Sequence, residues 1–260
     1  MKIGIFDSGI GGLSLLNEAL QRLPRAEFIY YADVDHVPYG EKSPEEILEF
    51  SEKAVDFLIK EGARAVVIAC NTATSVAVKD LREKYESEPY SLPIIGMEPA
   101  VKLALDSFEN GRILAAATPV TVKGKKLFQL IEKYDKERRT DTLPLPGLVR
   151  LAEEGLFGTE EADDYIKGVL SNYDLSEYSA LVLGCTHFNY FKDSFRRILP
   201  PSVRIVDGVD GTVRRLISRL QGEETNGLGG VEFYESGRKV ENKERFLSLL
   251  RILSEMEKIV

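Results

Sequence analysis

Two short stretches of this chain follow one plan, and their repetition constrains the fold more than any other feature. Arg64-Ala65-Val66-Val67-Ile68-Ala69-Cys70-Asn71-Thr72 is an apolar run, one small residue, a cysteine and then polar side chains. Ser179-Ala180-Leu181-Val182-Leu183-Gly184-Cys185-Thr186-His187 is built the same way. A short, continuous apolar run bounded by turn residues reads as a strand buried on both faces of a parallel sheet.

The surrounding elements repeat in order. Lys2–Phe6 is a strand that ends in the turn Asp7-Ser8-Gly9-Ile10-Gly11-Gly12, and a helix follows from Leu13 to Arg22. A strand at Glu27–Tyr31 precedes a helix that Ser43 and Glu46 open as a capping box, which runs to about Lys60 before Gly62 stops it. The strand Ala65–Ala69 and a helix from Asn71 to about Tyr85 complete the first half. From Gly111 the order begins again, with a strand Arg112–Ala116, a turn Thr118-Pro119-Val120-Thr121 and a helix Val122–Tyr134. Phe157-Gly158-Thr159-Glu160-Glu161 answers Tyr39-Gly40-Glu41-Lys42-Ser43, with similar spacing to the following cysteine. The expected fold class is α/β, with two similar parallel-sheet domains related by a pseudo-twofold axis and the active site in the cleft between them. A strand at Gly230–Tyr234, a Ser236-Gly237 turn and a helix from Glu244 to Met256 are expected to return to the first domain. The expected division is 1–96 plus 208–260 against 97–207.

Composition narrows the function classes. With 43% hydrophobic and 29% charged residues, the chain has ordinary globular usage. A net charge of -8 argues against a nucleic-acid partner, although a local site for a small anion is compatible with it. The apolar run at the N-terminus stops at Asp7, and no stretch of about 18 apolar residues suggests a membrane span. A cytoplasmic protein with two free thiols is expected.

Both cysteines fall just past the C-terminal end of a strand, where open α/β sheets bind ligands. Both also precede a predicted helix, whose free N–H groups would favour a thiolate. The pseudo-twofold axis sets the two thiols on opposite sides of one cavity, which suits a reaction needing a base on one face and an acid on the other. Asp7 is the expected polar partner of Cys70, and His187 that of Cys185. Ser8, Asn71, Thr72 and Thr186 lie at helix starts that can bind carboxylate oxygens, and Thr118 and Thr121 hold the equivalent turn of the second half. The glycine spacing of Asp7–Gly12 fits neither the dinucleotide nor the phosphate-loop pattern.

Four motifs then carry a resemblance: Phe6-Asp7-Ser8-Gly9-Ile10-Gly11-Gly12-Leu13; Asp33 with Pro38-Tyr39-Gly40; Ala69-Cys70-Asn71-Thr72-Ala73-Thr74; and Gly184-Cys185-Thr186-His187-Phe188. In this order they resemble the cofactor-independent glutamate racemases, over at least Lys2 to Asp207. The resemblance implies an isomerase without pyridoxal phosphate or metal, acting on the small-molecule substrate glutamate, supplying D-glutamate for peptidoglycan, and commonly a homodimer. It implies that Cys70 and Cys185 are the acid/base pair, with Asp7, Ser8, Tyr39, Gly40, Asn71, Thr72, Thr186 and His187 around the substrate and Glu153 as a further carboxylate near Cys185. His36 matches no catalytic position. After His187 the family commonly continues Pro-Leu, whereas this chain has Asn189-Tyr190. The rivals are an aspartate racemase or another two-cysteine relative, a hydrolase built on Cys185 and His187, and a non-catalytic binding protein.

Overall fold

The computed structural model describes residues 1–97, 100–220 and 227–256. The first half runs β1 (Lys2–Asp7), α1 (Leu13–Arg22), β2 (Glu27–Ala32), α2 (Pro44–Lys60), β3 (Ala63–Ile68), α3 (Asn71–Tyr85), β4 (Ile94–Gly96) and α4 (Val101–Ser107). The second runs β5 (Arg112–Ala117), α5 (Pro119–Lys123), α6 (Lys125–Tyr134), β6 (Thr140–Pro144), α7 (Pro146–Glu153), α8 (Glu160–Leu170), β7 (Tyr178–Leu183), α9 (Lys192–Ile198), β8 (Arg204–Asp207) and α10 (Val209–Arg219). The chain closes with β9 (Gly230–Glu235), β10 (Arg238–Lys239) and α11 (Glu244–Glu255).

Local chemistry accounts for the element ends. The Ser43 hydroxyl accepts the Glu46 N–H at 3.2 Å, and the Glu46 carboxylate accepts the Ser43 N–H at 2.8 Å, so the predicted capping box opens α2. Gly62 takes a φ of +93°, a left-handed conformation that ends the helix where side-chain-bearing residues would be strained. The stretch 118–121, expected as a turn, is instead a helix start: the Thr118 hydroxyl accepts the Thr121 N–H and Pro119 takes the first position of α5. Extended backbone at Gly124 then separates α5 from α6.

The sheets carry the repeat. The first is ordered β10-β9-β2-β1-β3-β4 and the second β6-β5-β7-β8, so β2-β1-β3-β4 and β6-β5-β7-β8 share one winding. Even the irregularity recurs: the register slips between Lys2 and Ile3 in the β1–β3 pair and between Arg112 and Ile113 in the β5–β7 pair. Pairing is parallel except for the β9–β10 edge hairpin, and β9 lies parallel to β2. The C-terminal strand therefore joins the first sheet, while α10 and α11 pack on α1.

Strand alternation sorts the core. Ile3, Ile5, Ala65 and Val67 face one side of the first sheet and share a single apolar cluster with Leu114, Ala116, Leu181 and Leu183 of the second. Phe6, Val66 and Ile68 face the other side, toward α2 and α3. One core thus runs through both halves and draws the ends of β1, β3, β5 and β7 together. In each sheet the switch point of the winding lies between the first strand and the cysteine strand, where ligands bind in folds of this kind.

Candidate active site

At the end of β3 the chain turns into α3, and Cys70 caps that helix. Its sulfur accepts the Ala73 N–H at 3.4 Å and donates to the Ser8 hydroxyl at 3.7 Å. The expected thiolate is not what this environment favours. Burial, joined by the charge of Asp7, pushes the Cys70 thiol up to about 12, and one helix N–H does not offset this. A charge on Cys185 would push it further, so the sulfurs act on one another across the cleft.

Cys185 has different company. Residues Thr186–Phe191 form tight 3₁₀ turns before α9, so no α-helix begins at this cysteine as the sequence suggested. Its sulfur lies 3.8 Å from His187 Nδ1, and His187 Nε2 lies 2.7 Å from Glu153 Oε1. The same carboxylate oxygen accepts the Ile10 N–H of the first half at 2.8 Å. Burial opposes charge on His187, yet the hydrogen bonds to Cys185 and Glu153 outweigh it and raise its pKa well above the ordinary value. Burial likewise opposes ionisation of Glu153, but the His187 bond and charge, with the Ile10 N–H, hold it low. Imidazolium and carboxylate support one another.

This pair sets a pH window. His187, with a raised pKa, contributes stability that is complete below its ordinary value of 6.5 and is lost as pH rises through the raised one. Glu153, with a lowered pKa, contributes stability above its ordinary value of 4.5 that is lost as pH falls through the lowered one. Glu153→Gln should therefore cost about 1.5–3 kcal/mol between about pH 5 and 6, with the difference shrinking as pH rises through the His187 pKa. Paired denaturant melts from about pH 4 to pH 9 measure this; a difference independent of pH would show that the pair is not charged.

Asp7 joins the two sides. One carboxylate oxygen accepts the Gly9 N–H at 3.0 Å and the other accepts the Thr186 hydroxyl at 3.1 Å. It acts on Cys70 through its charge, while that sulfur accepts a hydrogen bond from the Ala73 N–H and donates one to the Ser8 hydroxyl. A second junction is made of hydroxyls: Thr72 Oγ1 lies 2.9 Å from Thr118 Oγ1 and 3.4 Å from Thr121 Oγ1. Gly40 lies against Thr118, where a Cβ would come within 2.9 Å of the threonine's own. Tyr39 donates to Asp33 at 2.7 Å. Asn71 is buried, and its side-chain oxygen finds no hydrogen-bond partner among the described residues. The expected site residues thus gather where the halves meet. His36 stands outside, bonded to Asp33 and stacked on Phe50.

Sequence reasoning missed several supporting residues. Asp33, present in the second motif but given no role there, directly follows β2, whose last residue pairs with Asp7 at the end of β1. Tyr30 donates to the Gly9 carbonyl at 2.7 Å, and Tyr190 to that of Ile10 at 3.1 Å. No spacing marks a tyrosine for such a role.

Two parallel α/β halves thus meet at a buried, polar junction to which each contributes one cysteine, and that arrangement defines the class. Residues 7–216 match the Asp/Glu/Hydantoin racemase family, and this chain belongs to it. A glutamate racemase of Campylobacter concisus is 53% identical over 100% of this chain and 98% of its own length. Glutamate racemase 2 of Bacillus subtilis is 42% identical, covering 99% of this chain and 98% of the relative. Among solved structures, an Escherichia coli glutamate racemase in complex with L-glutamate and an activator superposes with a TM-score of 0.78 at 34% identity, over 85% of this chain and 83% of that one. A Francisella tularensis glutamate racemase holding D-glutamate gives 0.79 at 27% identity, over 100% and 97%.

Proposed function

We propose that this chain interconverts L- and D-glutamate by two-base proton transfer between Cys70 and Cys185, supplying D-glutamate for peptidoglycan. The observation that carries the mechanism is the pair of buried sulfurs with separate partners, Cys70 on Ser8 and Cys185 on His187 and Glu153, joined across the cleft through Asp7 and Thr186. In this reading one sulfur removes the α-proton while the other delivers a proton to the opposite face, and their states exchange with each inversion. The high pKa of Cys70 makes it the donor in the resting cleft. The substrate ammonium would offset the Asp7 charge and bring Cys70 into range as a base. The Asn71 side-chain oxygen is a ready acceptor for that ammonium. Ser8, Thr72, Thr118 and Thr121 offer the substrate carboxylates hydroxyl donors in place of water, while the Thr186 hydroxyl, donating to Asp7, borders the same site. Tyr39 and Gly40 border the threonine junction.

The proposed division is a first domain of 1–96 with 208–260 and a second of 97–207; of these, 98–99, 221–226 and 257–260 lie outside the described residues. The partition of strands between the two sheets supports it. Two functional free thiols suit the reducing cytoplasm. Among the described residues no helix is long and apolar enough to cross a membrane. The homodimer implied by the resemblance is tested by light scattering on the purified protein.

The decisive test is racemisation in D2O. L-Glutamate should yield D-glutamate carrying solvent deuterium from its first appearance, while recovered L-glutamate stays unlabelled early in the reaction. Early product that keeps its original proton would mean one base, not two. Turnover of aspartate in preference to glutamate would transfer the same mechanism to the rival substrate.

A further inference from the structure

Asn189 and Tyr190 depart from the Pro-Leu of the resembled pattern, and both reach across the cleft. Tyr190 is buried, with its ring stacked on Phe157 at 4.9 Å between centroids, and its hydroxyl donates to the Ile10 carbonyl at 3.1 Å. Ile10 is thereby held at both ends of its backbone by the second half, since Glu153 accepts its N–H. Asn189 donates to the Ser14 hydroxyl at 3.3 Å, and Ser14 donates to the Gly11 carbonyl at 2.9 Å. The same amide also donates to the Thr186 carbonyl at 3.0 Å, which fixes it within its own half. Two consecutive carbonyls of the glycine turn are thus tied, one directly and one through Ser14, to two consecutive residues beyond His187.

We propose that Asn189 and Tyr190 are positioning residues that latch the glycine turn of the first half onto the second and so hold the cleft closed around the substrate. Both ties are neutral and lie outside the acid/base pairs. Their loss should shift the balance between closed and open cleft without touching the reacting groups. A protein that must first close has its affinity for substrate scaled by the closed fraction, so a smaller closed fraction means weaker binding. The proposal rests on the two-cysteine racemase reading.

The test compares wild type, Tyr190→Phe, Ser14→Ala and the double variant in steady-state racemisation of L- and D-glutamate, followed by circular dichroism, with thermal melts of each. Phenylalanine keeps the ring stack on Phe157 and removes only the hydroxyl. Ser14→Ala loosens the second tie from the opposite side with a good helix former. Each single variant should raise KM for both enantiomers roughly three- to tenfold, as loss of one neutral hydrogen bond allows, with kcat held or increased. The double variant should raise KM further. An unchanged KM in Tyr190→Phe overturns the latch, as does a fall in kcat alone or a lowered thermal midpoint with wild-type KM. Wild-type product without solvent deuterium would instead overturn the two-cysteine reading, which separates the two failures.

Discussion

Cys70→Ser and Cys185→Ser are each expected to lower kcat/KM at least about 1,000-fold in both directions, because under the proposed two-base mechanism each removes one of the two groups that move the proton. A serine hydroxyl is close in size to a thiol but is a far weaker acid, so it neither holds the anion needed to take the α-proton nor exchanges roles with the remaining cysteine. Both positions are buried beside a polar group, Cys70 at the Ser8 hydroxyl and Cys185 at the His187 ring, so serine is sterically tolerated and the fold should persist. The two losses should be equal for the two enantiomers, since their equilibrium constant is one and the ratio of kcat/KM values is thereby held at one. Measured optical rotation from each enantiomer, with melts to confirm folding, checks both points. More than about a tenth of wild-type activity in either variant would remove that cysteine from the acid/base pair. The neighbouring groups divide differently: Asp7→Asn removes a charge that pushes Cys70 up, whereas His187→Asn removes the group bonded to Cys185. The α-deuterium isotope effect should therefore change for opposite enantiomers in the two variants.

Gly11→Ala should be strongly damaging although it alters no functional group. A Cβ at Gly11 would lie 2.4 Å from Thr186 Oγ1, 2.6 Å from His187 Nδ1 and 2.7 Å from the His187 backbone nitrogen. The last contact is with backbone, so no side-chain rotation relieves it, and the halves must part or the turn must shift. A displacement of about 1 Å in a reacting geometry costs on the order of 100-fold, and kcat/KM should fall by at least that. Gly168→Ala in α8, where a Cβ meets nothing within 4 Å, is the matched control and should leave activity unchanged. Activity within a few-fold of wild type for Gly11→Ala would mean that catalysis takes place in a more open cleft than the one seen here.

Alternating apolar runs, the Ser43–Glu46 box and Gly62 determined where the strands of the repeat and α1, α2 and α3 begin and end, because those choices depend on side chains within a turn or two of one another. The doubled cysteine motif likewise determined that two equivalent strands would each end at a cysteine. Short elements such as β4, β6 and α7 escaped, since three to eight residues with mixed polarity hold no decisive period. The protonation state of Cys70 and the surroundings of Cys185 belonged to the tertiary structure. The local rule promised a helix start and a thiolate at both, yet burial beside Asp7 raised Cys70, and Cys185 met 3₁₀ turns and the His187–Glu153 pair instead. Which tyrosine would serve the site was equally beyond local reach: Tyr30 and Tyr190 lie far apart in sequence and converge on adjacent carbonyls of one turn. A pKa, and a hydrogen bond between distant residues, are set by what folding brings within a few ångströms, and only tertiary packing, within each half and between them, decides that.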